Sequence, residues 1–326
     1  YMDDTNYANA FESYRIVLEK FPMFAEAAYS MGLVKNREKI LNEAVQHFKK
    51  ALEINPYHEK ARKALDNVTK KSFNDGNRAY KRGDLDGSIK AYYKVLEFDE
   101  KFYQAHYQIG VIKAKMGDRN GAIGHYQQAL DINPNFYKGW YAMGLSKKAN
   151  SDNEGALAAF KAAVNVHPAY DKAFGAMGGI YLSEKKYDQA IEVLNTAVQV
   201  NSKYSKGYST LGVIYSEMEE WANAANNLVL ATTHNEKDAM AWYRLAVAYN
   251  KLDECDRAEI AARKSTDSKP SFGGGWIELG VATWCGGKGN KIASVNALEK
   301  ARKDRTWRKI AEYEMDRIMN PQKYQN

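Results

Sequence analysis

The chain has 326 residues, of which 45% are hydrophobic and 27% are charged, and this composition is typical of a globular protein that can form an apolar core. No run of about 18 apolar residues and no signal-peptide pattern is present, so we expect a soluble chain whose compartment the sequence does not define, any targeting segment before Tyr1 lying outside it. Cys255 and Cys285 are the only cysteines, which excludes a disulfide framework and a cysteine-rich zinc site but leaves one bridge open.

Proline and glycine recur with a period of 34 residues. Apart from a single excess of ten residues, multiples of 34 separate the prolines Pro22, Pro56, Pro134, Pro168 and Pro270. The same period separates the glycines Gly32, Gly76, Gly110, Gly144, Gly178, Gly212 and Gly280. A period of this length predicts stacked copies of one supersecondary unit.

Each repeat predicts a pair of helices. When the repeats are counted from residues 25, 69, 103, 137, 171, 205, 239 and 273, this glycine falls at the eighth position, except in the unit from 239, where Ala246 replaces it. The twentieth position holds Ala or Ser, and the twenty-fourth is usually bulky. Small residues where two helices approach, with bulky residues beside them, favour a helical hairpin.

These positions resemble the tetratricopeptide repeat (TPR) family, whose motif is W-x-x-L-G-x-x-Y, then A-x-x-x-F, then P. Phe174, Met177, Gly178 and Tyr181, followed by Ala190, fit this motif, and three repeats carry its tryptophan: Trp140, Trp242 and Trp276. The resemblance covers nearly the whole chain. It implies an all-α, right-handed α-solenoid of about nine TPR helical hairpins with a C-terminal capping helix, a fold that usually binds other proteins.

In chain order, the expected units are an incomplete N-terminal unit at 1–24, a unit at 25–56, a unit with a ten-residue helical insertion at 57–102, five units at 103–272, a last unit at 273–303, and a capping helix and tail at 304–326. The first unit begins inside its first helix. We therefore expect Phe11 and Ile16 to be partly uncovered, which favours self-association or partner docking at this end.

The ten extra residues lie between Tyr57 and Asp75, in a stretch without Gly or Pro. Either the first helix is lengthened, from about Glu59 to Arg82, or a short separate helix is added. A lengthened helix would be about 35 Å long at 1.5 Å per residue. It would be a projection that contacts a partner or a tolerated insertion.

Near the end of the chain, the turn at 285–290 is two residues wider than in the other repeats. A terminal helix follows, with Trp307, Ile310, Ala311 and Ile318 on one face. Solenoids need such a helix to cover the apolar face of the last repeat.

No motif in the sequence indicates catalysis. The run Gly286-Gly287-Lys288-Gly289 lacks the first glycine, the Ser or Thr and the preceding strand of a phosphate-binding loop. No two histidines are three or four positions apart, so a metal site on one helix has no support. We therefore expect a protein that is not an enzyme and binds no cofactor and no metal.

The resemblance implies that the second, fifth, ninth and twelfth positions of each unit face a concave groove. The fifth position is aromatic at Tyr29, Phe73, Tyr107, Tyr141 and Tyr243, and the second position is lysine at Lys70, Lys138, Lys172 and Lys206. Gly175 and Gly179 lie on one helix, where they would form a dent in the groove or permit close helix approach. The aromatic rings either contact a ligand or pack between helices. The first alternative predicts a groove that binds an extended peptide or a partner protein through aromatic anchors and lysines.

The net charge of +7 is concentrated in two segments. Residues 286–309 carry eight basic and two acidic side chains, and residues 59–82 carry eight basic and three acidic ones. The first segment contains a basic patch at Lys300, Arg302, Lys303, Arg305, Arg308 and Lys309. This patch leaves open an adaptor that docks to nucleic acid or to an anionic membrane surface, whereas solvated helix faces explain most such runs. A regulatory subunit of a larger assembly is a further alternative.

Overall fold

The structure is a computed structural model that describes residues 4–285 and 289–324. All regular secondary structure in those two ranges is helical, with 18 α-helices and a 3-10 turn at Pro321–Lys323. The predicted fold class, an all-α repeat solenoid, is confirmed. None of the described helices combines the length and the apolar character needed to cross a lipid bilayer. The chain divides into two compact units, residues 1–159 and 160–326.

The first compact unit contains eight helices and the start of a ninth, which spans the division. They are α1 (Asp4–Lys20), α2 (Ala25–Arg37), α3 (Leu41–Ile54), α4 (Glu59–Lys81), α5 (Leu85–Phe98), α6 (Tyr103–Lys115), α7 (Arg119–Ile132), α8 (Tyr137–Ala149) and α9 (Asn153–Val166). Helices α2 and α3, α4 and α5, and α6 and α7 pack as hairpins. Helix α4 is a single helix of 23 residues, so the ten extra residues lengthen the first helix of this hairpin and do not form a separate one.

The second compact unit continues the alternation of helices. It contains α10 (Asp171–Ser183), α11 (Tyr187–Val200), α12 (Ser205–Glu217), α13 (Trp221–His234), α14 (Ala239–Lys251), α15 (Cys255–Ser268), α16 (Gly273–Trp284), α17 (Lys291–Ala301) and α18 (Arg308–Met319). Helices α10 and α11, α12 and α13, α14 and α15, and α16 and α17 form hairpins. The two units share the same hairpin, so the helix-pair reading of the repeat is correct in both.

The periodic glycine allows the two helices of a hairpin to pack closely. A Cβ atom on Gly110 would lie 2.6 Å from a ring carbon of Tyr126, and one on Gly280 would lie 2.7 Å from Cγ of Leu298. Tyr126 and Leu298 both occupy the twenty-fourth position when the two-residue widening of the last turn is counted. The glycine therefore makes room for the bulky side chain of the facing helix, as the repeat pattern predicts.

The turn between the two helices repeats one backbone conformation. The second residue after the end of the first helix has a positive φ in seven hairpins, at Lys39, Gly83, Gly117, Ser151, Lys185, Glu219 and Asp253. A residue in the left-handed conformation lets the backbone N–H groups that follow a helix bond to its last carbonyls, and glycine adopts this conformation most easily. Because only two of the seven are glycine, the other five keep the turn at a cost of about 1 kcal/mol each.

Helix α18 covers the last hairpin. Ala311 and Ile318 are fully buried and pack in one cluster with Ile277 and Leu298. Trp307 is half-buried, but Ile310 is 45% exposed, so it lies outside the buried face that we predicted for it. The reason is that the contacts of α18 with α16 and α17 are made through Ala311 and Ile318.

A disulfide joins the start of α15 to the end of α16. It links Cys255 to Cys285 with Cα atoms 5.8 Å apart, so the one bridge left open by the sequence is present. Gly286, Gly287 and Lys288, which belong to the expected loop and to the basic segment, lie outside the described residues. At the other end of the chain, the ring of Phe11 packs against His47 at a centroid distance of 5.4 Å, and Ile16 is 41% exposed.

Candidate functional site

The first helices of the hairpins lie side by side within each compact unit. Helix α6 contacts α8 in the first unit, and in the second α10 contacts α12, α12 contacts α14, and α14 contacts α16. We call the surface formed by these helices the first-helix face. All the residues predicted to line the groove belong to first helices.

The aromatic residues at the fifth position pack between helices. The ring of Tyr107 lies 5.8 Å from that of Tyr126 on the second helix and 5.0 Å from that of Phe136, just before the next first helix. The same arrangement of three rings joins Tyr29 to Phe48 and His58, and Phe73 to Tyr92 and Phe102. Burial raises the pKa of the Tyr107 hydroxyl, as expected for a phenol that is largely removed from water.

Tyr243 in the second compact unit also packs against neighbouring aromatic rings. Its ring contacts Phe272 at 5.2 Å and Trp307 at 5.6 Å, and burial followed by the charge of Glu278 raises its pKa to about 12. The expectation that Tyr107 and Tyr243 project freely into the groove is therefore corrected, because neighbouring aromatic rings hold them between helices. Tyr141 is half-buried. A contact of these side chains with a partner through their remaining exposed edges stays a prediction.

Gly175 permits a close approach and does not form an open dent. A Cβ atom at this position would collide with the hydroxyl and ring of Tyr204, which precedes α12. The space expected for a ligand side chain is therefore occupied by the protein itself at Gly175. Gly179, one turn further along α10, is half-buried.

The predicted lysines are accessible on the first-helix face. Lys70 and Lys138 in the first compact unit, and Lys172 and Lys206 in the second, are all exposed. The ammonium group of Lys138 lies 5.8 Å from the centroid of the Tyr137 ring. In the second unit, Lys172 and Lys206 lie on the contacting helices α10 and α12, and the fifth-position residues of these helices are the small Gly175 and Ser209.

A half-buried carboxyl group that the repeat pattern did not single out lies near the end of the second unit. The side-chain amide of Asn250 donates a hydrogen bond of 2.8 Å to Oε2 of Glu278. Burial, with a contribution from the charge of Glu314, raises the pKa of Glu278 to about 7. The signal in the sequence is that Glu278 is the one carboxylate among the sixth positions of the repeats. We expect burial to favour the protonated form of the Glu278 carboxyl group, which is influenced by the charge of Glu314 on the capping helix α18.

The basic patch is only partly accessible as a cationic surface. Arg302, Lys303 and Arg308 line one surface depression, but Glu299 and Glu312 line it too. Arg302 pairs with Glu299 at 3.0 Å, and the ammonium group of Lys300 lies 4.2 Å from the centre of the Trp276 ring. Arg305 and Lys309 are exposed. Internal pairing thus reduces the positive charge offered to an anionic partner.

Family models match most of the chain in segments. Residues 76–117 match a TPR repeat model, and residues 103–136 and 1–59 match two tetratricopeptide repeat models. Residues 139–271 match the model of the tetratricopeptide repeat protein 21 C-terminal ARM domain. A comparison with curated protein sequences gives no significant match.

Solved structures share the fold at low sequence identity. The C-terminal part of a TPR repeat-containing protein from Cytophaga hutchinsonii is 13% identical with a TM-score of 0.60, over 74% of this chain and 98% of that one. A tetratricopeptide repeat protein from Parabacteroides merdae is 14% identical with a TM-score of 0.53, over 77% of this chain and 99% of that one. The APC/C hetero-tetramer Cut9–Hcn1 is 16% identical with a TM-score of 0.54, over 97% of this chain and 59% of that one. These likenesses show a shared fold, whereas the repeat models that match residues 1–59 and 76–136, together with the periodic hairpins, lead to one conclusion: the chain belongs to the tetratricopeptide repeat family.

Proposed function

We propose that the chain is a non-enzymatic scaffold that binds an extended acidic peptide, or an extended acidic segment of a partner protein, on its first-helix face. The observation that carries the proposal is the exposure of Lys172 and Lys206 on the contacting helices α10 and α12. The fifth positions of both helices hold small residues, and the space beside them is occupied by the Tyr204 side chain at Gly175 and by the Arg244 side chain at Ser209. An extended backbone would therefore pass over these side chains, with its carboxylates directed at Lys172 and Lys206.

The spacing of the lysines sets the spacing of the acidic residues that they would bind. Packed helices have axes about 8–10 Å apart. A peptide in the polyproline II conformation advances about 3.1 Å per residue with three residues per turn, so two carboxylates three residues apart lie on one side and are separated by about 9 Å. We therefore expect an acidic residue at every third position of the bound segment. Lys70 and Lys138 would bind carboxylates in the same way on the first compact unit.

The aromatic residues have a supporting role in this proposal. Within each compact unit, the exposed edges of these rings supply apolar contact area beside the lysines, which supply the charge: Tyr29, Phe73, Tyr107 and Tyr141 in the first unit, and Tyr243 in the second. Gly179 places no side chain on the surface of α10 near the middle of this helix, and Gly175 leaves space for the Tyr204 side chain. In this arrangement, removal of a lysine weakens binding and leaves the fold intact. Removal of a ring weakens the hairpin itself.

The proposal is tested with peptides selected from a displayed library against the full chain. Binding of a selected peptide is measured by fluorescence anisotropy for the wild type and for a Lys172→Ala, Lys206→Ala double variant. Two exposed ion pairs of about 0.7 kcal/mol each predict about tenfold weaker binding. Lys161→Ala, an exposed lysine on the second helix α9, is the matched control and should bind like the wild type.

Two results would contradict the proposal. The first is a set of selected peptides without acidic residues. The second is a double variant that binds its peptide as tightly as the wild type does. Rising salt should weaken the interaction moderately, because exposed charges are screened within about 10 Å at ordinary ionic strength.

The alternatives receive less support from the described residues. An adaptor that docks to nucleic acid or to an anionic membrane through 286–309 needs a free cationic surface, and Glu299 and Glu312 share the depression at Arg302 and Arg308. Steep loss of binding to duplex DNA or anionic vesicles on replacement of Arg305 and Lys309 would favour that alternative. A regulatory subunit of a larger assembly is compatible with the same first-helix face.

A further inference from the structure

Two histidines meet between the helices of one hairpin in the first compact unit. His106 lies on α6 and His125 on α7, and their Nδ1 atoms are 3.4 Å apart. The ring centroids are 5.7 Å apart and the ring planes are inclined by 30°. Both rings are half-buried. The proposed peptide-binding function uses neither of them.

The surroundings fix the orientation of both rings. The hydroxyl oxygen of Tyr93 on α5 is 3.2 Å from Nε2 of His125. The backbone carbonyl of Glu100 and the side chain of Gln128 lie near the His106 ring and counteract the lowering of its pKa by burial. His106 occupies the fourth position of its repeat, where tryptophans in other repeats donate a ring N–H to the carbonyl six residues earlier, as Trp140 does to Pro134 at 2.8 Å. The Nδ1 atoms are left facing each other.

The separation of these two nitrogens suits a bound metal ion. A Zn–N distance of about 2.1 Å to both nitrogens gives an N–Zn–N angle of about 108°, close to the tetrahedral angle. Imidazole is a preferred ligand of zinc, copper and nickel. We propose that His106 and His125 form a binding site for a divalent transition-metal ion of the zinc class, coordinated through both Nδ1 atoms.

Protein side chains would supply only part of the coordination. In the described ranges, no group of three or more His, Cys, Asp or Glu side chains is arranged to hold a metal ion. Both carboxylate oxygens of the nearby Asp118 already have partners within the protein. Oδ1 accepts a hydrogen bond from the backbone N–H of Gly121, and Oδ2 pairs with Lys113 at 2.8 Å. Water therefore completes the coordination sphere, and the ion should exchange readily.

Tyr93 is the positioning residue of the proposed site. Without metal, its hydroxyl donates to Nε2 of His125, and the Nδ1–H of His125 donates to Nδ1 of His106. When the metal occupies both Nδ1 atoms, the proton of His125 moves to Nε2 and donates to the Tyr93 oxygen. Metal ligands of this kind commonly donate their second ring N–H to such an acceptor, which fixes the tautomer. Metal binding thus changes the tautomer of His125 without changing its charge.

The test uses zinc chloride and the full chain, with binding followed by calorimetry. We expect one ion per chain, and binding at least tenfold weaker in His106→Gln and in His125→Gln. His47→Gln is the matched control, because His47 occupies the same repeat position as His125 but packs against Phe11 and not a second histidine. Circular dichroism checks that every variant keeps its helical content.

A second readout separates a metal ligand from a structural histidine. Long-range ¹H–¹⁵N spectra of labelled chain should show the His125 proton moving from Nδ1 to Nε2 as zinc is added. Tyr93→Phe should weaken zinc binding about tenfold while the chain stays folded. Failure of the wild-type chain to bind zinc would overturn the proposal. Undiminished binding by the two glutamine variants, or binding without the tautomer change, would overturn it as well.

Discussion

Replacement of the half-buried carboxyl group of Glu278 should stabilise the chain at neutral pH. Burial raises its pKa from the ordinary value of 4.5 to about 7, and the neighbouring Glu314 adds to the increase. Below about pH 4.5 this group is protonated in the folded and the unfolded chain and contributes no pH dependence. As the pH rises towards 7, the unfolded chain releases the proton while the folded chain retains it, so stability falls.

The expected magnitude follows from the size of this difference. At about 1.4 kcal/mol per pH unit, an increase from 4.5 to about 7 corresponds to about 3 kcal/mol of lost stability above pH 7. Glu278→Gln removes the charge and keeps an oxygen that accepts the hydrogen bond from Asn250. We therefore expect the variant to exceed the wild type by up to about 3 kcal/mol at pH 8 and to match it at pH 4.5.

The assay is urea unfolding followed by circular dichroism at a series of pH values between these limits. Glu192→Gln on α11 is the matched control, since Glu192 is exposed and its replacement should leave the pH dependence unchanged. Parallel curves for the wild type and Glu278→Gln over the whole range would refute the argument. A destabilised Glu278→Gln at pH 8 would refute it too.

Three further predictions concern the hairpins. Glu219→Gly should raise the free energy of unfolding by about 0.5–1 kcal/mol in urea titrations, because Glu219 holds a left-handed conformation with φ of 61° that glycine adopts without strain; an unchanged or lower value would contradict this. Gly175→Ala should lower the melting temperature, since its methyl group would displace the Tyr204 ring, whereas Gly124→Ala, where a Cβ atom meets nothing within 4 Å, should not. Loss of the disulfide in a Cys255→Ser, Cys285→Ser variant should cost about 3.5 kcal/mol for a bridge that closes 30 residues, and the wild type treated with reductant should approach the variant; equal stability of the oxidised wild type and the variant would contradict the assignment.

The repeat architecture could be predicted from the sequence because its main packing rule is periodic. Gly110 faces Tyr126, and Gly280 faces Leu298 in the same way. A residue type that occupies the same position in successive repeats indicates that the same contact is made in each of them. For the ten extra residues the sequence left a lengthened helix and a separate short helix open, and the absence of a helix breaker suits the single helix α4 that the structure has.

The role of the aromatic residues could not be predicted in the same way. Tyrosine at the fifth position suits a ligand groove and a helix interface equally well. A ring at the end of the repeat decides between them where one is present, as Phe136 does by packing on Tyr107 at 5.0 Å. Likewise, spacing along one helix gave no histidine pair, while the hairpin brings His106 and His125 together from two helices.

The measurement that tests the proposed scaffold function most directly is the location of a bound peptide on the chain. A library-selected acidic peptide that carries a photoreactive group is cross-linked to the full chain, and the attachment sites are mapped by mass spectrometry. The account predicts cross-links on α10 and α12, close to Lys172 and Lys206, and their loss in the double lysine variant. Cross-links on the second helices α11 and α13, or on residues 289–309, would contradict it.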